Sequence, residues 1–163
     1  MIDEPVLLTD LTDGVLTLTL NRPERRNAIT RQMWTLLRDR LRDVEPGHDV
    51  RAVVLTGAGG AFSSGADLTA TTGMDEFPDP NEEIRSVNDT VKLLHDLPVP
   101  TIAKVRGGVA AGAGWNLALG CDFVVATPGV PVLPDLRPAG TVGRHRRFLA
   151  AAPASSVCSR PSG

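Results

Sequence analysis

Apolar and polar positions along the chain repeat with two periods. Val15, Thr17 and Thr19 alternate with Leu16, Leu18 and Leu20, the period of a strand with one buried face. Val6–Thr9 reads as its partner, and Thr12-Asp13-Gly14 between them is a hairpin signal. Pro23 in Asn21-Arg22-Pro23-Glu24 ends the second strand, because proline cannot continue a ladder. From Thr30, a predicted N-cap with Ile29 just outside it, the period changes. Met33, Leu37, Leu41 and Val44 fall at helical spacing with Trp34 alongside, and Arg38, Asp39, Arg40, Arg42 and Asp43 form a solvated face. Pro46-Gly47 is the predicted stop.

The run Ala52–Leu55 predicts a buried strand, followed by the turn Thr56-Gly57-Ala58-Gly59-Gly60. The small-residue stretch Phe62-Ser63-Ser64-Gly65-Ala66-Asp67-Leu68 comes next, with Asp67 as a candidate helix cap. After a polar loop, Asp79-Pro80-Asn81-Glu82 predicts a capped helix start. Ile84, Val87, Val91 and Leu94 form its expected buried face, and Pro98 and Pro100 close it. Thr101–Val105 reads as a strand, 107–114 as a glycine- and alanine-rich turn, Trp115–Leu119 as a short helix and Cys121–Ala126 as a further strand. Strands alternating with helices predict an α/β fold with largely parallel pairing.

Composition narrows the function classes. The 163 residues suit one domain with a sizeable core. A net charge of -2, no Tyr and few other aromatic residues argue against a nucleic-acid binder. Cys121 and Cys158 make neither a metal-ligand pattern nor a redox pair. The acidic start, without the basic and apolar regions of a leader, and the lack of any apolar run near the roughly 18 residues of a span predict a cytoplasmic chain with no membrane partner.

Candidate chemistry concentrates in three segments. Glycine turns after a strand, then small residues and a helix start, leave backbone N–H groups free to bind an oxygen anion. Asn21-Arg22-Pro23-Glu24 with Asn27-Ala28, then Phe62–Leu68, then GGVAAGAGWNLALGCD over 107–122 occur in that order. Together they resemble the crotonase family, the enoyl-CoA hydratases and isomerases, over about residues 5–128. The resemblance implies an α/β crotonase-like spiral of ββα units, C-terminally truncated here, acting on an acyl-CoA thioester. It assigns the oxyanion hole to the N–H groups of Ala66 and Ala113. It sets Asn27, Ala28, Ser64, Gly65, Asp67, Leu68 and Gly112 along the substrate, with basic residues near Asn27 able to meet nucleotide phosphates. No separate cofactor is implied, since coenzyme A is part of the substrate. Family members assemble as trimers through C-terminal helices, which this chain lacks. The physical logic holds without the name: attack on an unsaturated thioester, or loss of its α-proton, builds charge on the thioester oxygen. One donor aimed there typically contributes about 10²–10³ in rate.

Two departures from the family pattern stand out. The Gly107-Gly108 turn is one residue longer than usual, and Asn116 occupies the position of the hydratase catalytic glutamate. An amide neither takes nor gives a proton as a general acid/base does, which tilts away from plain hydration. The alternative reading is a catalytically inactive remnant that at most binds CoA thioesters. The glycine clusters lack GxGxxG spacing. Ser63 and Ser64 have no histidine placed beside them by sequence, His95-Asp96 sits at a helix end, and His48 reads as a loop residue.

The resemblance stops after Pro128-Gly129. Residues 1–128 carry 12 Lys+Arg against 18 Asp+Glu, whereas 129–163 carry five Arg and one Asp with five of the 13 prolines. Pro131, Pro134 and Pro138 break regular elements, and the stretch reads as a disordered tail. Codons for Val130 to Ala152, read one base later with GC-leaning choices, can spell SRFSQIFARRGLSVDIGGSWLLP. That string resembles the family's continuation, including an acid where several isomerases carry their catalytic carboxylate. A change of reading frame near residue 130 is the expectation.

Overall fold

The computed structural model describes residues 4–45, 49–67, 80–107, 110–127 and 147–150. Leu7–Thr12 (β1) and Val15–Leu20 (β2) form the antiparallel hairpin, with Leu7 opposite Leu20 and Thr12 opposite Val15. Asp13 and Gly14 both take positive φ, 51° and 76°, which a tight two-residue hairpin turn requires. Ala52–Gly57 (β3), Thr101–Val105 (β4), Phe123–Ala126 (β5) and Arg147–Ala150 (β6) add in parallel, so the six strands lie in sequence order.

Alternation decides which face is covered. Leu18 pairs with Leu55, Leu55 with Ala103, and Ala103 with Val124, and all four are buried. Thr17, Val54, Ile102 and Val125, one position away, are only partly buried. The β3 run is therefore buried on one face, not throughout its length as its composition suggested. Arg31–Arg42 (α1), Pro80–Asp96 (α2) and Gly112–Gly120 (α3) bury Met33, Trp34, Leu37, Leu41, Leu94, Leu117 and Ala118 in the same cluster. Each fully buried Leu there stabilises by roughly 1.5–3 kcal/mol.

Thr30 caps α1 as expected, its Oγ1 accepting from the Met33 N–H at 3.2 Å. Arg40–Asp43 and Arg42–Asp39 pair loosely on the solvated face. The helix ends at Arg42, before Pro46-Gly47, which lie outside the described residues. In α2, Leu94 is buried and Val87 and Val91 pack against the cluster, but Ile84 is 58% exposed, against its expected burial. It lies three residues before Val87, the first residue of α2 that packs against the cluster. α3 begins at Gly112, three residues before the expected start, because Gly-Ala-Gly reads as a turn yet here packs closely as a first helical turn. One short strand, β6, interrupts the stretch read as irregular after residue 129, and the rest of that stretch lies outside the described residues. Among the described residues no helix is long and apolar enough to cross a membrane.

A polar clasp fixes β5 against β4. Asp122 Oδ2 accepts from both the N–H and Oγ1 of buried Thr101, each at 3.0 Å, and the Asp122 N–H returns a bond to Thr101 Oγ1 at 2.8 Å. Asp122→Ala would strand a buried N–H and is expected to destabilise by about 1–3 kcal/mol. Asp122→Asn, which keeps an acceptor, should cost less. Urea midpoints of the two variants check the order, and equal losses would show that the clasp does not act through acceptance.

Candidate functional site

The turn after β2 is the base of the site. Pro23–Arg25 is a short 3-10 turn, and Arg26 and Asn27 follow at φ 50° and 55°, left-handed positions that asparagine tolerates better than most residues. Asn27 is fully buried. Its Oδ1 accepts from the Arg22 N–H at 2.9 Å, and its Nδ2 donates to Ala58 O at 2.9 Å and Ala61 O at 2.7 Å. The side chain thus ties this turn to the one after β3. With those bonds made, the Asn27 side chain is a structural hub. Sequence reasoning placed Asn27 along the substrate and did not see this side-chain role, because the turn after β3 lies more than 30 residues away.

The segment Ser63–Asp67 lies along the 22–29 turn and is bonded to it residue by residue. Ser64 N–H donates to Arg26 O at 2.9 Å, and Ser64 Oγ donates to Arg25 O at 3.2 Å. Ser63 Oγ donates to Asn27 O at 2.8 Å and accepts from Gly65 N–H at 3.1 Å. Ile29 N–H donates to Gly65 O at 2.8 Å, and Asp67 N–H donates to Ile29 O at 3.0 Å. Of the amides from 64 to 67, only that of Ala66 has no acceptor among the described residues. The reason is geometric. A trans peptide sets its N–H opposite its C=O. Gly65 O faces Ile29, so the Ala66 N–H faces away from the turn.

The second segment abuts the first. Ala110 bridges Ser63, and Ala111 N–H donates to Ser63 O at 3.0 Å. A Cβ on Gly65, whose φ is +103°, would lie 3.0 Å from Ala111 O and 3.5 Å from Ala113 N. On Gly114 it would fall 2.5 Å from Ser63 Cβ, a separation that real atoms do not show. Glycine at both positions is what allows the two backbones to meet. Ala111 precedes α3 without a side-chain cap. Gly114 and Trp115 donate to Ala111 O, while the N–H groups of Gly112 and Ala113 have no acceptor among the described residues. Such orphan donors in a helix's first turn carry its positive end.

Ala66 and Ala113, both half-buried, are thus brought together, with Ser64, Gly65 and Gly112 around them. Ala28 sits on the facing turn, its carbonyl accepting from Arg22 Nη1 at 3.0 Å. Leu68 and Gly108 lie outside the described residues. Asp67 Oδ2 accepts from Arg22 Nη1 at 2.6 Å, an ion pair across 45 residues of sequence; the residues that Asp67 is expected to cap lie outside the described residues. Asn116 is exposed on α3, three residues after Ala113 and so on the same helical face.

Other candidates fall away from this place. Ser63 is fully buried with its hydroxyl both donating and accepting, as packing predicted. His95 pairs with Asp96 at 3.2 Å at the end of α2, which leads into the start of β4, whereas the site follows the ends of β3 and β4. Among the described residues no cluster of His, Cys, Asp and Glu could hold a metal ion. A cleft of about 560 Å³ opens beside Arg22, lined by Glu4, Pro5, Val6, Asn21, Pro23, Glu24 and Gln32, and does not include the two amides.

Residues 10–129 match the family model described as enoyl-CoA hydratase/isomerase. The chain is 43% identical over 123 residues to the 1,2-epoxyphenylacetyl-CoA isomerase of Escherichia coli, covering 74% of this chain and 47% of that protein. It is 35% identical over 145 residues to the mitochondrial enoyl-CoA hydratase domain-containing protein 3 of Danio rerio, covering 84% and 50%. Among solved structures, an enoyl-CoA hydratase/isomerase from Xanthobacter autotrophicus superposes with a TM-score of 0.67 at 38% identity, over 77% of this chain and 47% of that one. The chain spans about half the length of the curated relatives it matches. Ordered motifs, strand arrangement and these similarities agree, and the chain belongs to the enoyl-CoA hydratase/isomerase, or crotonase, family.

Proposed function

We propose that this chain holds an acyl-CoA thioester by its carbonyl oxygen, with the N–H groups of Ala66 and Ala113 as the oxyanion hole. One observation carries the reading: two backbone donors lie in abutting segments, without acceptors among the described residues, and one belongs to the first turn of a helix. Donors fixed in this way need no reorganisation when charge develops on the oxygen of an enolate. The names of the relatives point to the same substrate class, an isomerase of a CoA thioester and an enoyl-CoA hydratase domain. Coenzyme A enters as part of the substrate, and the reading invokes no separate cofactor.

A second reading, thioester binding without turnover, has its own support. Asn116 shares a helical face with Ala113 and cannot move a proton. Binding and turnover are therefore tested separately. On titration with an acyl-CoA, the amide resonances of Ala66 and Ala113 are expected to shift together, whichever of the two readings holds. A folded, ligand-saturated sample in which neither resonance moves would refute the assignment. Shifts without product in a turnover assay would select the second reading.

A further inference from the structure

We infer that Arg22 and Asp67 form a latch that aims the Ala66 N–H, so that both are positioning residues for the oxyanion hole. This rests on the acyl-CoA reading and adds a device to it. Arg22 stands at the start of the turn that holds residues 63–67, and its Nη1 donates to Ala28 O and to Asp67 Oδ2. The pair is largely buried, at 19% and 8% side-chain exposure. A charge-assisted bond in that setting is strong and directional. Burying two charges is poor value as stability alone, and a role in fixing geometry is a known use of such pairs.

The location gives the pair its effect. Ala66 has one neighbour held by Ile29 through Gly65 O, and the other held by Ile29 through Asp67 N. The Arg22 bond to Ala28 O steadies the residue before Ile29, and its bond to the Asp67 carboxylate steadies the residue after Ala66. Both ends of the short ladder around Ala66 are thereby clamped by one guanidinium. Cutting the latch removes the charge-assisted hold on the Asp67 side chain and leaves the two Ile29 backbone bonds on either side of Ala66. The Ala66 N–H then loses its aim at a point that its own hydrogen bonds do not control.

The test separates aim from general stability by comparing two probes. One is a saturated acyl-CoA, and the other is the S-alkyl-CoA thioether of equal chain length, which lacks the carbonyl oxygen. The unaltered chain should prefer the thioester by about 10-fold or more, as expected of a site whose donors act on that oxygen. Arg22→Gln should bring the preference close to unity while the thioether dissociation constant changes less than about twofold. It should also reduce the Ala66 amide shift on acyl-CoA binding. Arg22→Lys keeps the charge on a shorter side chain without the planar fork, so it should restore part of the preference. If Arg22→Gln does not fold, Asp67→Asn and Arg22→Lys carry the same comparison. Equal weakening of both probes, or an unchanged preference, overturns the latch and makes the pair structural. An unaltered chain that binds both probes equally overturns the oxyanion reading itself, and the latch with it.

Discussion

Asn27→Ala should cost the fold about 3–6 kcal/mol. Three backbone groups lose their partner at once: the buried carbonyl of Ala61, and the part-buried Arg22 N–H and Ala58 carbonyl, which water can partly satisfy. Each buried group left unsatisfied costs about 1–3 kcal/mol. The backbone there is at φ 55°, which alanine adopts at a further penalty of about 1–2 kcal/mol. Set against the roughly 5–15 kcal/mol that a native domain holds in reserve, the loss would melt much of the chain at ambient temperature. Two companions separate the causes. Asn27→Gly removes the side-chain bonds but relieves the backbone, so it should be about 1 kcal/mol less damaging than alanine. Asn27→Asp keeps an acceptor for the Arg22 N–H, yet turns an oxygen toward two carbonyls, and should be no better than alanine. Urea unfolding monitored by circular dichroism measures all three. A loss under about 1 kcal/mol for Asn27→Ala would mean that the turns are held elsewhere.

Turnover should show the second large effect. As written, the chain is expected to convert no short enoyl-CoA at a measurable rate. Translated one base later from the codons near residue 130, it should become active on an acyl-CoA. A positioned acid or base contributes about 10²–10⁴-fold, and Asn116 supplies neither. The family match ends at residue 129, next to the point where charge and proline content change. With GC-leaning codons the shifted reading can supply a carboxylate within SVDIGGSW, in place of residues 142–149. Resequencing the codons for Gly129 and Val130 checks the frame independently of any assay. Robust turnover by the chain as written would mean that a catalytic group within it has been overlooked. A shifted frame that soon stops, or reads as unrelated sequence, would remove the explanation.

Local signals carried most of the fold. The alternation of Leu16, Leu18 and Leu20 set the buried face of β2, Asp13-Gly14 set the hairpin, and the Thr30 hydroxyl capped α1. What escaped was nonlocal. No pattern near Asp67 announces Arg22, nor does any near Asn27 announce Ala58 and Ala61, because those partners meet only after the sheet forms. The start of α3 was hidden differently. Gly112-Ala113-Gly114 has no apolar stripe, and its helical state depends on Gly114 closing onto Ser63. Ile84 carries a buried-face signal that the described neighbours do not answer. At the site, the ordered motifs singled out Ala66 and Ala113, but which amides lack acceptors became readable only from the bond pattern.

The strand order β1 to β6 also bears on synthesis. Each strand pairs with the one translated just before it, so no strand must wait for a later one to find its place. At about 5–20 residues per second, the 31 residues between Leu20 and Ala52 take seconds to emerge. A hairpin such as β1–β2 closes in about 1–10 μs. The nascent sheet can therefore grow at ribosomal pace from its N-terminal end. Throughout, its unpaired growing edge is the strand most recently made, where a chaperone would have to stand guard.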